Sequence, residues 1–113
     1  MSLIYKILPL HAWTEAVAQG RFEGAAIDLQ DGYIHFSTAA QAQETAAKHF
    51  AGQAGLVVAA FETGDLGPGL IWEPSRGGQL FPHLYGVLDP AMARSVTDAP
   101  LDEDGVPRLG ALP

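Results

Sequence analysis

The stretch Asp31-Gly32-Tyr33-Ile34-His35-Phe36-Ser37-Thr38 restricts the fold more than any other part of the chain. Asp-Gly is a turn dipeptide, the residues after it alternate, and Ser37 or Thr38 stands where a following helix would be capped. Side chains of a strand point alternately to opposite faces, so Ile34 and Phe36 go to one side and Tyr33, His35 and Ser37 to the other. The first face is expected to join a core. The second is a row of groups able to bind a ligand or move a proton, with His35 and Ser37 roughly 7 Å apart along the strand.

A chain of 113 residues fits one domain over 1–113, with a core of about residues 3–98 and a tail at 99–113. Its composition, 48% hydrophobic with 17% charged, favours a compact globule, and its 13 Gly and 8 Pro punctuate it with turns. The net charge is −7, and the six Lys and Arg are scattered, so no basic stripe exists to neutralise phosphates. Nucleic acid and anionic membranes are therefore disfavoured as partners. The absence of cysteine excludes disulfides, thiolate metal sites and a thiol nucleophile, and fits a reducing cytoplasm. The opening run MSLIYKILPL is broken by Pro9 too soon to read as a signal peptide or an anchor.

Apolar patterning predicts a strand over Leu3–Leu8 and a helix from Leu10 closed by Gly20, whose freedom at positive φ suits a helix end. Arg21 to Gln30 reads as a loop with an extended piece near Ala26 and Ile27. Thr38 and Gln41 have capping-box spacing and open a second helix ending at Gly52, with Ala39, Ala42, Ala46 and Phe50 on one face and Glu44 paired with Lys48. The continuous apolar run Leu56–Phe61 predicts a strand covered on both faces. Short strands are expected at Leu70–Glu73 and through Leu80–Leu88, then a strand or helix-strand element at Ala93–Val96. The tail after Pro100 adds an edge strand or frays. The predicted class is α+β, a single compact domain with two short helices.

Chemistry concentrates in four places. His35 lies on the polar face of the organising strand, and His83 lies in the aromatic stretch Leu80-Phe81-Pro82-His83-Leu84-Tyr85. Glu73 ends a strand beside Trp72, where a carboxylate can serve as a base or bind hydroxyls. Arg76 precedes Gly77-Gly78, where backbone amides can approach an anion, although no P-loop pattern surrounds it. Each has a plainer reading: a histidine tied to backbone, or Glu73 and Arg76 as a surface pair. His11 and His49 are discounted as helix-end residues. No G-x-S-x-G elbow surrounds Ser37 or Ser75, and His35, Glu73 and His83 as a two-His, one-carboxylate metal set lack diagnostic spacing.

The strand IYKI, the Trp13 helix, DGYIHFST with Gln41, LIWEPSRGG and LFPHLYG together resemble the bacterial family called domain of unknown function 952, over Leu3 to about Val96. That resemblance implies distant similarity to the ADP-ribosyltransferase-like fold: a split, mostly antiparallel β core with helices on one side and a cleft for a nicotinamide dinucleotide. It implies a ribose contact near Lys6, where members often carry histidine, a polar strand at His35–Ser37, and a glutamate role at Glu73. The combined expectation is a small anionic or nucleotide-like ligand of the NAD or ADP-ribose type. His35, Ser37, Glu73 and His83 form the catalytic set, and Tyr5, Lys6, Tyr33, Thr38, Trp72, Arg76 and Tyr85 bind the ligand. In that picture His35 and Ser37 hold ribose hydroxyls, Arg76 a phosphate and Tyr85 a ring, while Glu73 acts at the ribosyl carbon in transfer or hydrolysis. A non-catalytic interaction module and a metal-dependent enzyme using His35, Glu73 and His83 are the alternatives.

Overall fold

The computed structural model describes residues 2–112 and contains nine principal elements. They are β1 (Leu3–Pro9), α1 (Leu10–Gln19), α2 (Ala26–Asp31), β2 (Ile34–His35), α3 (Ala39–His49), β3 (Leu56–Glu62), β4 (Leu70–Pro74), β5 (Leu80–Leu84) and β6 (Ser95–Ala99). Two three-stranded antiparallel sheets form, one in the order β1-β3-β6 and the other β2-β5-β4. A bridge between Tyr5 and Ser37 joins them: each residue's N–H donates to the other's carbonyl, at 2.8 and 2.9 Å. This is an α+β domain with a split antiparallel core.

Alternation along β3 explains how a continuous apolar run becomes the centre of the molecule. Val57, Ala59 and Phe61 enter one apolar cluster with Ile4, Leu8, Trp13, Phe22, Ile34, Phe36 and Leu84. Leu56, Val58 and Ala60 enter a second cluster with Tyr5, Ile7, Ala42, Ala46 and Leu109. Each face of the first sheet is thus covered, as a strand apolar at every position requires. The second sheet differs. Ile34 and Leu84 turn one of its faces into the first cluster, and its opposite face carries His35, His83 and Glu73. That asymmetry places the candidate site.

Several sequence expectations need correction. The segment expected as a loop at Arg21–Gln30 contains α2, a third helix, instead of an extended piece at Ala26 and Ile27. Its pattern is inverted: Ile27 and Leu29 are exposed while Asp28 is buried, so periodicity gives no sign of it. The α3 helix stops at His49, three residues before Gly52, though its Thr38–Gln41 capping box forms as expected. Ala39 is exposed, leaving Ala42 and Ala46 as its buried stripe. The last strand starts at Ser95, after a 3-10 turn at Pro90–Met92, because backbone pairing with β3 holds an otherwise polar segment. The tail docks instead of fraying. Gln43 accepts from the Leu109 N–H and donates to the Pro107 carbonyl, and Leu109 is buried. Among the described residues no helix is long and apolar enough to cross a membrane.

Candidate functional site

The alternation of Tyr33, His35 and Ser37 brings Tyr33 and His35 to the outer face of the second sheet. β5 pairs with β2 so that His35 stands opposite His83, and with β4 so that His83 stands opposite Ile71, two residues from Glu73. The His35 and His83 rings lie 5.6 Å apart. Tyr33 stacks on His83 at 4.0 Å between ring centres and also approaches His35 (4.6 Å) and Tyr85 (5.2 Å). Four aromatic rings therefore share one face, and Tyr85 at its rim is 46% exposed.

Two carboxylate systems serve the two histidines. The Glu73 Oε1 atom accepts from His83 Nδ1 at 2.7 Å and from the Tyr85 hydroxyl at 2.8 Å. These two hydrogen bonds hold the Glu73 carboxyl below its ordinary range, and the same contact raises the Tyr85 hydroxyl. An ionised carboxylate only accepts, so His83 carries its proton on Nδ1. Burial and the charges of Asp31 and Glu73 raise Tyr33, keeping its phenol neutral.

Around His35 the arrangement is closed. Asp28 Oδ1 accepts from His35 Nδ1 (2.6 Å), from the His35 backbone N–H (3.0 Å) and from Lys6 Nζ (2.9 Å). Its Oδ2 accepts from the Ala25 N–H at 2.8 Å and lies 2.8 Å from Lys6 Nζ. Burial alone would raise the Asp28 carboxyl, but the His35 hydrogen bond, Lys6 and Ala25 outweigh it and hold it at about 2. Burial pushes the Lys6 ammonium below its ordinary value against the opposing pull of Asp28. The second ring nitrogen of His35 faces Asp31 Oδ2 at 2.9 Å.

The expected residues divide accordingly. Tyr33, His35, Glu73, His83 and Tyr85 come together. Lys6, expected at a ribose, is only 4% exposed and belongs to Asp28. The Ser37 hydroxyl is buried against Thr45 at 3.0 Å, and Arg76 donates to Thr45 and Glu44 and stacks over Phe81. Ser37 and Arg76 thus tie β2 and the glycine loop to α3 instead of facing the histidines. Thr38 caps α3, Tyr5 is buried at the bridge between the sheets, and Trp72, opposite Pro82, points to the other face from Glu73. His35, Glu73 and His83 do not assemble as metal ligands, because His83 Nδ1 is committed to Glu73 and both His35 nitrogens to Asp28 and Asp31. Among the described residues no group of three or more His, Cys, Asp or Glu is placed to hold a metal.

Asp28 is the neighbour of His35 that sequence reasoning missed, and Asp31 entered it only as half of a turn. No short-range signal marks it, because Ile27 and Leu29 face outward where an apolar pattern would place them inside, and Asp28 faces inward. A shallow groove of about 880 Å³ lies elsewhere, between Pro9–Ala18 and Gln53–Leu56. His11 and Glu15 are the only titratable groups lining it, and among the described residues neither has a carboxylate or histidine partner there, so the chemistry favours the aromatic face.

Comparison with known proteins agrees with this fold. Protein CC0527 from Caulobacter crescentus has a crystal structure that is similar at 58% identity and a TM-score of 0.93, covering 96% of each chain. Its solution structure is similar at 58% identity and a TM-score of 0.86, covering 97% of this chain and 95% of that one. No curated protein matches. The family described as protein of unknown function (DUF952) matches residues 7–99, and the chain belongs to that family.

Proposed function

We propose that the outer face of the second sheet binds a small nucleotide-like ligand of the NAD or ADP-ribose class. The observation that carries this reading is the ring cluster of Tyr33, His83 and Tyr85 on one face, next to a carboxylate whose Oε1 is engaged and whose Oε2 is left for a ligand hydroxyl. A planar base or pyridinium stacks on the tyrosines, and ribose hydroxyls donate to Glu73. Phosphate finds less support. Lys6 is committed to Asp28 and Arg76 to Glu44, while Asp31 and Glu73 add negative charge at the face itself. The ring and sugar therefore supply the affinity, and ADP-ribosyl transfer or hydrolysis at the sugar is the reaction class to test.

Thermal shift and calorimetric titration with NAD, ADP-ribose, nicotinamide riboside and pyrophosphate provide the test. Saturation at a hundredfold over Kd adds about 2.7 kcal/mol, several degrees for a domain of this size. NAD and the riboside are expected to shift the wild type, pyrophosphate is not, and Tyr33→Ala is expected to lose the response. No heat and no shift with any of them up to millimolar concentration would sink the reading.

One observation favours a second, non-catalytic reading for part of the cluster. Asp28 ties β1, α2 and β2 together through Lys6, Ala25 and His35, and every buried side-chain nitrogen or oxygen among the described residues is hydrogen-bonded. That half of the face is a structural clamp.

A further inference from the structure

We infer that His83 is the proton acceptor of this site, acting through Nε2, and that Glu73 is the residue that positions it. The inference deepens the ligand reading above, since it concerns the same face, but it does not depend on which ligand is bound. His83 is 3% exposed and stacked against Tyr33, yet no hydrogen bond to its Nε2 is found among the described residues. Side-chain nitrogens and oxygens that are sealed from solvent all have partners here, so Nε2 is not sealed. Its other nitrogen is held at 2.7 Å by the Glu73 carboxylate, which accepts and cannot donate. With the ring neutral the proton is thereby placed on Nδ1, and the lone pair is left on Nε2, the nitrogen that is not sealed from solvent.

That arrangement is what a base acting on a hydroxyl requires. An O–H bond of water or of a ligand alcohol breaks, and the proton forms an N–H bond at Nε2. The electron pair stays on oxygen as the nucleophile. The Nδ1–H remains in place, and the positive charge that appears on the ring is offset by Glu73. His35 is not equivalent. Its two nitrogens face carboxylates, Asp28 and Asp31, so neither is left facing a ligand. The structure therefore assigns proton acceptance to one histidine of the pair, and moves Glu73 from reacting group to orienting group.

Ring-nitrogen NMR on uniformly 15N-labelled protein tests this without a substrate. At a pH where the rings are neutral, His83 is expected as the Nδ1–H tautomer with a bare Nε2, and on acidification the incoming proton should arrive at Nε2. Glu73→Gln is expected to abolish the preference and give a mixture of tautomers. A wild-type spectrum with the proton on Nε2 overturns the inference, and an unchanged tautomer in Glu73→Gln overturns the positioning role. A titration with nicotinamide riboside separates the two readings. If the riboside shifts the melting point but leaves the His83 Nε2 resonance unmoved, the base assignment fails while the binding reading stands; if it binds nowhere, the binding reading fails and the tautomer decides the inference alone.

Discussion

The His35 side and the His83 side of one face are 5.6 Å apart between ring centres, yet they are built on opposite plans. On the His35 side a carboxylate with almost no exposed surface gathers a lysine, two backbone amides and an imidazole, and nothing is left over. On the His83 side a partly exposed carboxylate takes one imidazole and one phenol, leaving a nitrogen and an oxygen without a hydrogen-bond partner among the described residues. A fully satisfied buried network fixes geometry, whereas unspent hydrogen-bonding capacity at a surface is available to a ligand. The first plan holds the second in place: Asp28 anchors the backbone of His35, and β2 carries that anchor to β5 and His83.

The largest expected effect breaks the closed side. Asp28→Ala leaves the Lys6 ammonium buried without its counter-charge and strands the donors of Ala25 and His35, which should cost about 3–5 kcal/mol in urea unfolding. Combining Lys6→Met with Asp28→Asn removes the orphaned charge and should recover part of that loss, because coupled partners are not additive. The same clamp can be disturbed without removing charge. Gly24 has φ 130°, and a Cβ there would come within 2.9 Å of the Asp28 Cβ, so Gly24→Ala is expected to destabilise by about 1–3 kcal/mol.

Acid acts on the same side. Asp28 titrates at about 2 in the folded protein against an ordinary 3.8, so folding favours its ionised form. That contribution, about 2 kcal/mol, is whole above the ordinary value and is lost as pH falls through about 2. Glu73 is depressed as well and adds to the same acid-side loss in direction. Urea midpoints measured from pH 6 down to roughly pH 2 should fall in wild type and fall less in the Lys6→Met, Asp28→Asn protein, whose clamp no longer holds an ionisable carboxyl.

How far the sequence reveals this comparison depends on the kind of signal each side carries. The open side is partly legible: strand alternation puts Tyr33 and His35 on one face, and the aromatic setting of His83 and the strand-end position of Glu73 single those two out, while their grouping with His35 rests on alternation together with the family resemblance. The apolar run of β3 and the Thr38–Gln41 cap are legible for the same reason, since each follows a short-range rule. The closed side is not. Lys6 and Asp28 are 22 residues apart, their pairing depends on tertiary contact, and α2 hides an acid between exposed apolar residues. Ser37 shares a face with His35 by alternation but is drawn to Thr45 of α3 just as the strand ends, a contact that no period predicts.

The smallest stability effect belongs to the open side. Glu73→Gln and Tyr85→Phe should leave the unfolding midpoint near that of the wild type, because both groups lie at the surface, while weakening the response to nicotinamide riboside. A large fall in stability for either would mean that the two sides are one structural network.

The outer face of β2, β5 and β4 is the proposed place where this protein meets its ligand. It is tested most directly by following backbone and ring resonances of the labelled protein during a titration with NAD. Perturbations concentrated at Tyr33, Glu73, His83 and Tyr85, with His35 moving less, are the expected result. Perturbations confined to the groove at Pro9–Ala18 and Gln53–Leu56, or none at millimolar ligand, would contradict it.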